Sequence, residues 1–165
     1  MNDATTNASA VWCPHVTVAC VVCNREGRFL MVEETVSGRI RYNQPAGHLE
    51  PDESLAAAAL RETLEETGWD IELRHLIGVH QWFSPEHQEH IVRFSFAGEP
   101  VHHHADRPLD EGIIGPHWLY RDQIEALGDR LRSPLVLESI DAWLAGRRLP
   151  LDTVTSLLAR STEPA

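Results

Sequence analysis

Between Gly47 and Gly68 the chain reads GHLEPDESLAAAALRETLEETG, and this stretch limits what the chain can fold into more than any other. Helix formers run from Leu55 to Leu64, with Asp52 as the candidate N-cap and Gly68 as the C-terminal stop, which predicts a helix. Glu62, Glu65 and Glu66 then stand at i, i+3 and i+4 on one face. Each like-charge pair at that spacing costs an isolated helix ~0.2–0.5 kcal/mol. A shared divalent cation turns the repulsion into coordination, and hard carboxylate oxygens suit Mg²⁺ or Mn²⁺, which in turn bind substrate phosphates. At ~100° per residue, Leu55, Ala58 and Ala59 share the carboxylate side. Leu60 and Leu64 lie nearly opposite, flanked by Ala56 and Ala57. The expectation is a core face at Leu60 and Leu64 and an acidic face turned away from it. The alternative is an acidic face that is simply solvated.

The flanking pattern favours a site. Gly47 allows backbone to approach a ligand closely. Arg61 carries a rigid fork suited to carboxylates, with Glu53 or Glu65 as partners, and such a contact orients the ligating groups.

Elsewhere, Val16–Cys23 reads as a buried strand, Asn24–Gly27 as a turn and Arg28–Glu34 as the returning strand. Ser37 to Gly47 reads as a loop. Ile71–Phe83 and His90–Ala97 read as strands, Gly98–Leu109 as irregular chain and Ile113–Leu119 as a last strand. Gln123–Leu127 and Leu135–Leu144 read as helices, the second with Ser133 as N-cap and Pro134 at N1. Strands bracketing one helix, with helices after them, predict an α/β fold with a mixed sheet covered by helices.

The 165 residues fit one domain, with residues 1–13 expected as a disordered leader, 14–151 as the domain and 152–165 as a tail. The polar N-terminus lacks a basic region and an apolar run, and no stretch approaches the ~20 apolar residues of a membrane span, so neither export nor a membrane is expected. Three cysteines, an odd count, point to reduced thiols and a cytoplasmic setting. Cys20 and Cys23 sit three apart in a β-branched run, facing opposite ways, and read as structural thiols rather than half a zinc site. A net charge of −11 disfavours a nucleic-acid polymer as partner. All 14 basic residues are arginine, which removes lysine-dependent chemistries, including the P-loop and the Schiff base.

Gly47, Glu53, Arg61, Glu62, Glu65, Glu66, Gly68 and Trp69 fall on G-x5-E-x7-R-E-U-x-E-E-x-G-U, where U is bulky and apolar. This is the Nudix box, and the chain resembles the Nudix hydrolase family. Thr63 departs from it, standing where an aliphatic residue is usual. Pro14–Val22, Glu33–Thr35, Asn43–Glu50, His80–Trp82, Arg93–Phe94 and Leu131–Val136 extend the likeness to the NudJ-type phosphatase branch. The resemblance implies an α/β/α sandwich around a mixed sheet and a metal-dependent phosphohydrolase. It implies removal of terminal phosphate from nucleoside di- and triphosphates and from thiamine-pathway pyrophosphates, among them hydroxymethylpyrimidine pyrophosphate.

In that frame Glu62 and Glu66 are the expected ligands of Mg²⁺ or Mn²⁺, with Glu65 bridging metals or accepting the water proton and the Ala46 carbonyl adding a ligand. Arg61 and Glu53 hold the cluster. A later-loop acid, Asp110 or Glu111, is expected to join as ligand or general base, and Glu111 is taken as the catalytic candidate. Arg93, Trp82 and Arg132 are the candidate substrate contacts, against bland roles as a surface ion pair, a buried aromatic and a contact to Asp129 or Glu138. The His102-His103-His104 tract reads as an exposed polar segment. The expected partner is a small phosphorylated molecule, and the expected state a monomer or homodimer. Two rival functions stay open: a Nudix pyrophosphatase splitting X-linked nucleoside diphosphates, and a non-catalytic Nudix binding module.

Overall fold

A computed structural model of the protein describes residues 11–158, so most of the expected leader and the end of the expected tail lie outside the described residues. The β-branched run near the start forms strand β1 (His15–Val22), which turns at Asn24 into β2 (Phe29–Val36). The Asn24 side-chain oxygen accepts from the backbone N–H of Glu26 and Arg28, each at 3.0 Å, and fixes this turn. Strands β3 (Arg39–Asn43) and β4 (Ala46–His48) lead into helix α1 (Leu55–Thr67). Then follow β5 (Trp69–Ser84), β6 (Glu89–His103), β7 (Ile113–Leu119), α2 (Arg121–Ala126) and α3 (Leu135–Leu144).

The strands form two sheets, β4-β1-β6-β5 and β3-β2-β7. β1 and β6 run parallel, and the other paired strands run antiparallel. The layering follows from alternation along β1. Val18, Cys20 and Val22 pack with Leu30 and Phe96 under Ala58 and Ala59 of α1. Val21 packs with Met31, Ile77 and Ala97 under Val136 and Ile140 of α3 and Ile124 of α2. Helices therefore cover both faces of the β layer, the α/β/α arrangement expected from the sequence.

Four details differ from the expectations. The segment read as a loop holds β3 and β4: RIRYN has no apolar alternation, and its strand character comes from pairing with β2, Val36 opposite Arg39 through Val32 opposite Asn43. β6 continues past Ala97 to His103, because β5 pairs with it throughout and register shifts along β5 accommodate Pro100. The N-cap of α1 is Ser54, whose hydroxyl accepts from Ala57 N–H at 3.1 Å, while Asp52 sits in the preceding turn at φ 64°. At α3, Pro134 occupies the cap position and no side chain caps it, so Ser133 does not play its expected part.

The largest correction concerns α1. It buries Ala58, Ala59, Thr63 and Thr67 together with Glu62, and leaves Leu60 40% exposed. The helix presses its carboxylate side onto the sheet, and small alanines permit the close approach: the Cys20 thiol reaches the Ala59 carbonyl at 3.5 Å. Thr63 is fully buried, and its hydroxyl donates to the Ala59 carbonyl at 2.8 Å, so the departure from an aliphatic residue leaves no orphaned polar atom. Cys20, pushed up to about 12 by burial, is an inert packing thiol, as its place on the strand suggests. Among the described residues no helix is long and apolar enough to cross a membrane.

Candidate active site

Arg61 organises the acidic face. Its Nε and Nη2 donate to both oxygens of Glu53, at 3.1 and 2.7 Å. Its Nη1 donates to Glu62 at 2.8 Å and to Glu65 at 3.0 Å, and Nη2 also meets the His48 carbonyl at 3.1 Å. The guanidinium fork thus serves both partners expected for it and ties the helix to β4. The bidentate Arg61 bond holds the Glu53 carboxyl below the usual range. Glu62 goes the other way: burial raises it although Arg61 pulls it down.

Glu66 lies deepest. Burial, with Glu62, Glu34 and Asp110 nearby, pushes it up to about 9, although it accepts a 2.9 Å hydrogen bond from the Ala46 N–H. Gly47 explains how backbone and carboxylate come so close: a Cβ there would fall 2.1 Å from the Glu62 carboxyl carbon. Ala46 thus meets the cluster through its N–H. Asp110 N–H donates to the Glu65 carbonyl at 3.2 Å, and the Asp110 charge raises both Glu62 and Glu66. Asp110 and Glu111 are both exposed, and Asp110 is the one whose backbone and charge reach the cluster.

A cavity of about 700 Å³ opens beside β4 and is lined from both sheets and by the 128–134 segment. Ala46, Gly47, Trp82, Arg93 and Arg132 all face it. Arg93 is 6% exposed, which overturns the surface ion-pair alternative, and its Nε and Nη1 have no hydrogen-bond partner among the described residues. Burial, with Arg132 nearby, lowers it to about 10. Arg132 lies 4.0 Å from Glu34, rather than pairing with Asp129 or Glu138, and Trp82 is half-buried on the cavity wall. Thr17, Asn43 and Ser133 also line it, each buried with a side-chain oxygen lacking a partner. Sequence reasoning missed these three as site residues, since a short polar residue inside a strand or before a helix carries no periodic signal. The His102–His104 tract stays outside the cavity and exposed: His103 stacks on Trp69, and His104 meets Asp70 at 2.7 Å.

A buried carboxylate cluster clamped by one arginine, beside a cavity holding an unpaired arginine, on an α/β/α frame, defines a class of phosphohydrolase. The NUDIX domain family matches residues 14–139, and the chain belongs to the Nudix family. More particularly, it is 47% identical over 141 residues to phosphatase NudJ of Escherichia coli, covering 86% of this chain and 90% of that protein. Phosphatase NudJ of Shigella flexneri matches equally. A NUDIX hydrolase from Nitrosomonas europaea superposes with a TM-score of 0.85 at 41% identity, over 87% of this chain and 97% of that one. A UDP-X diphosphatase at 20% identity and TM-score 0.68, over 88% of this chain and 70% of that one, shares the fold alone. The chain is a Nudix hydrolase of phosphoric anhydrides, similar to phosphatase NudJ.

Nudix hydrolases generally use divalent metal ions, and this donor set fits one. The carboxylates are hard oxygen donors, and Glu66, held neutral by burial, gains an anionic state when a cation adjoins it. Among the described residues no three acidic, histidine or cysteine side chains converge on one ion-sized point, since Arg61 draws Glu62 and Glu65 to itself.

Proposed function

We propose that this protein removes the terminal phosphate from nucleoside di- and triphosphates and from thiamine-pathway pyrophosphates, including hydroxymethylpyrimidine pyrophosphate and thiamine pyrophosphate, with Mg²⁺ or Mn²⁺. Glu62, Glu65, Glu66 and the Ala46 carbonyl hold the ion, which neutralises anhydride charge when bound. Arg61 and Glu53 fix the carboxylates in place. Water attacks the terminal phosphorus, the anhydride P–O bond breaks, and its electron pair leaves on the bridging oxygen. Glu65 accepts the water proton, with Asp110 beside it. Arg93 and Arg132 hold the phosphate that remains with the product, and Trp82 stacks on the organic group.

One observation carries this reading: Arg93, 6% exposed and with Nε and Nη1 lacking a hydrogen-bond partner among the described residues, lines the cavity bordered by Ala46 and Gly47 of the carboxylate site. Glu34 and Glu66 act on this buried cation only through space, and a phosphorylated ligand supplies the acceptors its donors lack. The 47% identity to phosphatase NudJ supports the same assignment. The test is a product screen over nucleoside di- and triphosphates and thiamine-pathway pyrophosphates, with and without EDTA. Inorganic phosphate released only without EDTA is expected. A nucleoside monophosphate with a sugar phosphate from X-linked diphosphates as the main products overturns it.

A further inference from the structure

Five of the side chains lining the cavity do not yet have the company their chemistry requires. Thr17 Oγ1, Asn43 Oδ1, Ser133 Oγ and Glu34 Oε1, and Nε and Nη1 of Arg93, are buried and make no hydrogen bond among the described residues, and Trp82 forms an aromatic wall near them. Thr17, Asn43, Arg93 and Ser133 are each only 6–7% exposed, so bulk water does not satisfy them. They come from four separate places in the chain: β1, the end of β3, β6 and the approach to α3. Thr17 and Arg93 are direct neighbours across the β1–β6 ladder. Ser133 and Asn43 are held by the Arg132 N–H, which donates to the Tyr42 carbonyl at 2.8 Å, and by Gln44, which bonds Ser139 of α3 at 2.8 Å. Buried polar groups normally find partners, and orphans concentrated in one rigid cavity point to a ligand.

The pattern carries chemical information. A phosphate offers acceptors, which satisfy Arg93 but not the oxygens of Asn43 and Glu34. The Asn43 oxygen needs a donor from the ligand, Glu34 already has Arg132 4.0 Å away, and the two hydroxyls serve either way. We propose that Asn43, with Thr17 and Ser133 as further contacts, is a specificity-determining residue that selects a substrate whose organic group presents N–H donors beside hydrogen-bond acceptors. This rests on the phosphohydrolase reading for the orientation of the substrate, with phosphates toward α1 and the organic group toward Trp82. A site of buried hydrogen-bonding groups discriminates strongly, because the wrong ligand leaves them unpaired.

The test measures binding without turnover. Cytidine and N3-methyluridine diphosphates, of which the first presents an amino donor and the second no N–H along the same ring edge, are titrated calorimetrically into the full chain in EDTA. The wild type is expected to bind the amino-bearing ligand at least about tenfold more tightly. Asn43→Leu is expected to bring that ratio below about threefold, while Thr17→Val and Ser133→Ala weaken both ligands alike. The two hydroxyl deletions carry a second readout. Removing an orphaned buried hydroxyl relieves an unmet demand, so Thr17→Val and Ser133→Ala are expected to raise the thermal midpoint of the free protein by about 2–4 °C. Equal affinity of the wild type for the two ligands overturns the proposal, as does an Asn43→Leu variant that keeps the wild-type ratio or hydroxyl deletions that lower the midpoint. Phosphate release with Mg²⁺, measured in parallel, separates the two claims: selective binding without hydrolysis sinks the enzymatic reading alone, and hydrolysis without selectivity sinks the subsite alone.

Discussion

At the scale of single residues, Glu66 and Arg61 solve opposite problems. Arg61 spreads one positive charge over Glu53, Glu62 and Glu65, all within 3.1 Å, and so makes a crowded acidic face tolerable. Glu66 receives none of that fork and is left to the Ala46 N–H, with its carboxyl pushed up to about 9 by burial. Near neutral pH the metal-free side chain is thus a neutral acid, and glutamine is its isosteric likeness. Glu66→Gln is expected to leave the metal-free thermal midpoint unchanged or higher, while Mg²⁺-dependent turnover falls by at least about 100-fold. Steady-state rates at saturating Mg²⁺, with melting curves in EDTA, check both halves, and near-normal turnover defeats the ligand assignment. The sequence disclosed Arg61, Glu62, Glu65 and Glu66 because spacing on a helix is enough to join them. It did not disclose Thr17, Asn43 and Ser133, because a burial partnership across β1, β3 and the 128–134 segment has no local spacing. Asp110 and Glu111 look alike in sequence, since only the backbone bond from Asp110 to the Glu65 carbonyl decides which of the two adjoins the cluster.

At the scale of elements, α1 shows where periodicity misleads. Two leucines opposite the carboxylates look like the core face, yet Leu60 is 40% exposed while Ala58 and Ala59 are fully buried. The reason lies in distance. A site built from helix carboxylates and β4 backbone needs the helix close to the sheet, and alanine permits that where leucine does not. Hydrophobicity alone therefore ranks the faces wrongly, and the small-residue stripe beneath the carboxylates is the better sign. The two sides are expected to respond oppositely to substitution. Ala59→Leu overpacks the helix–sheet contact and is expected to cost about 1–3 kcal/mol. Leu60→Ala, at a partly exposed position, is expected to cost under ~1 kcal/mol. Urea denaturation at constant m value measures both, and the reverse order of the two losses contradicts this packing. The same limit hid β3, whose arginine-rich sequence becomes a strand only because β2 offers it a ladder. Strands β1 and β2, helix α3 and the stop at Gly68 were legible because there local pattern and tertiary need agree.

At the scale of the whole molecule, stability, pH and metal are tied together through the site. Glu66, Glu62 and Glu34 all have carboxyls raised by burial above the 4.5 of an unperturbed glutamate. Folding therefore favours their protonated forms, and this contribution is complete below about pH 4.5 and is lost as pH rises, for Glu66 through about 9. Glu53 and Asp141, lowered by hydrogen bonds from Arg61 and Arg121, contribute oppositely: their stabilisation is present above the unfolded carboxylate range and is lost as pH falls through their depressed values. The metal-free protein is thus expected to lose stability on both sides of a mildly acidic maximum, with the alkaline loss set by the buried site. A bound divalent cation cancels that alkaline loss, because it stabilises the anionic form that burial disfavours. The thermal midpoint in EDTA is expected to fall between pH 6 and 9 by this linkage, and the rise produced by Mg²⁺ to grow over the same interval. Ion binding near pH 7.5 also displaces a proton from Glu66, so its calorimetric heat is expected to change with the ionisation enthalpy of the buffer. A Mg²⁺ stabilisation that is flat with pH, or a binding heat identical in buffers of low and high ionisation enthalpy, shows that the ion displaces no proton from Glu66 and overturns the linkage.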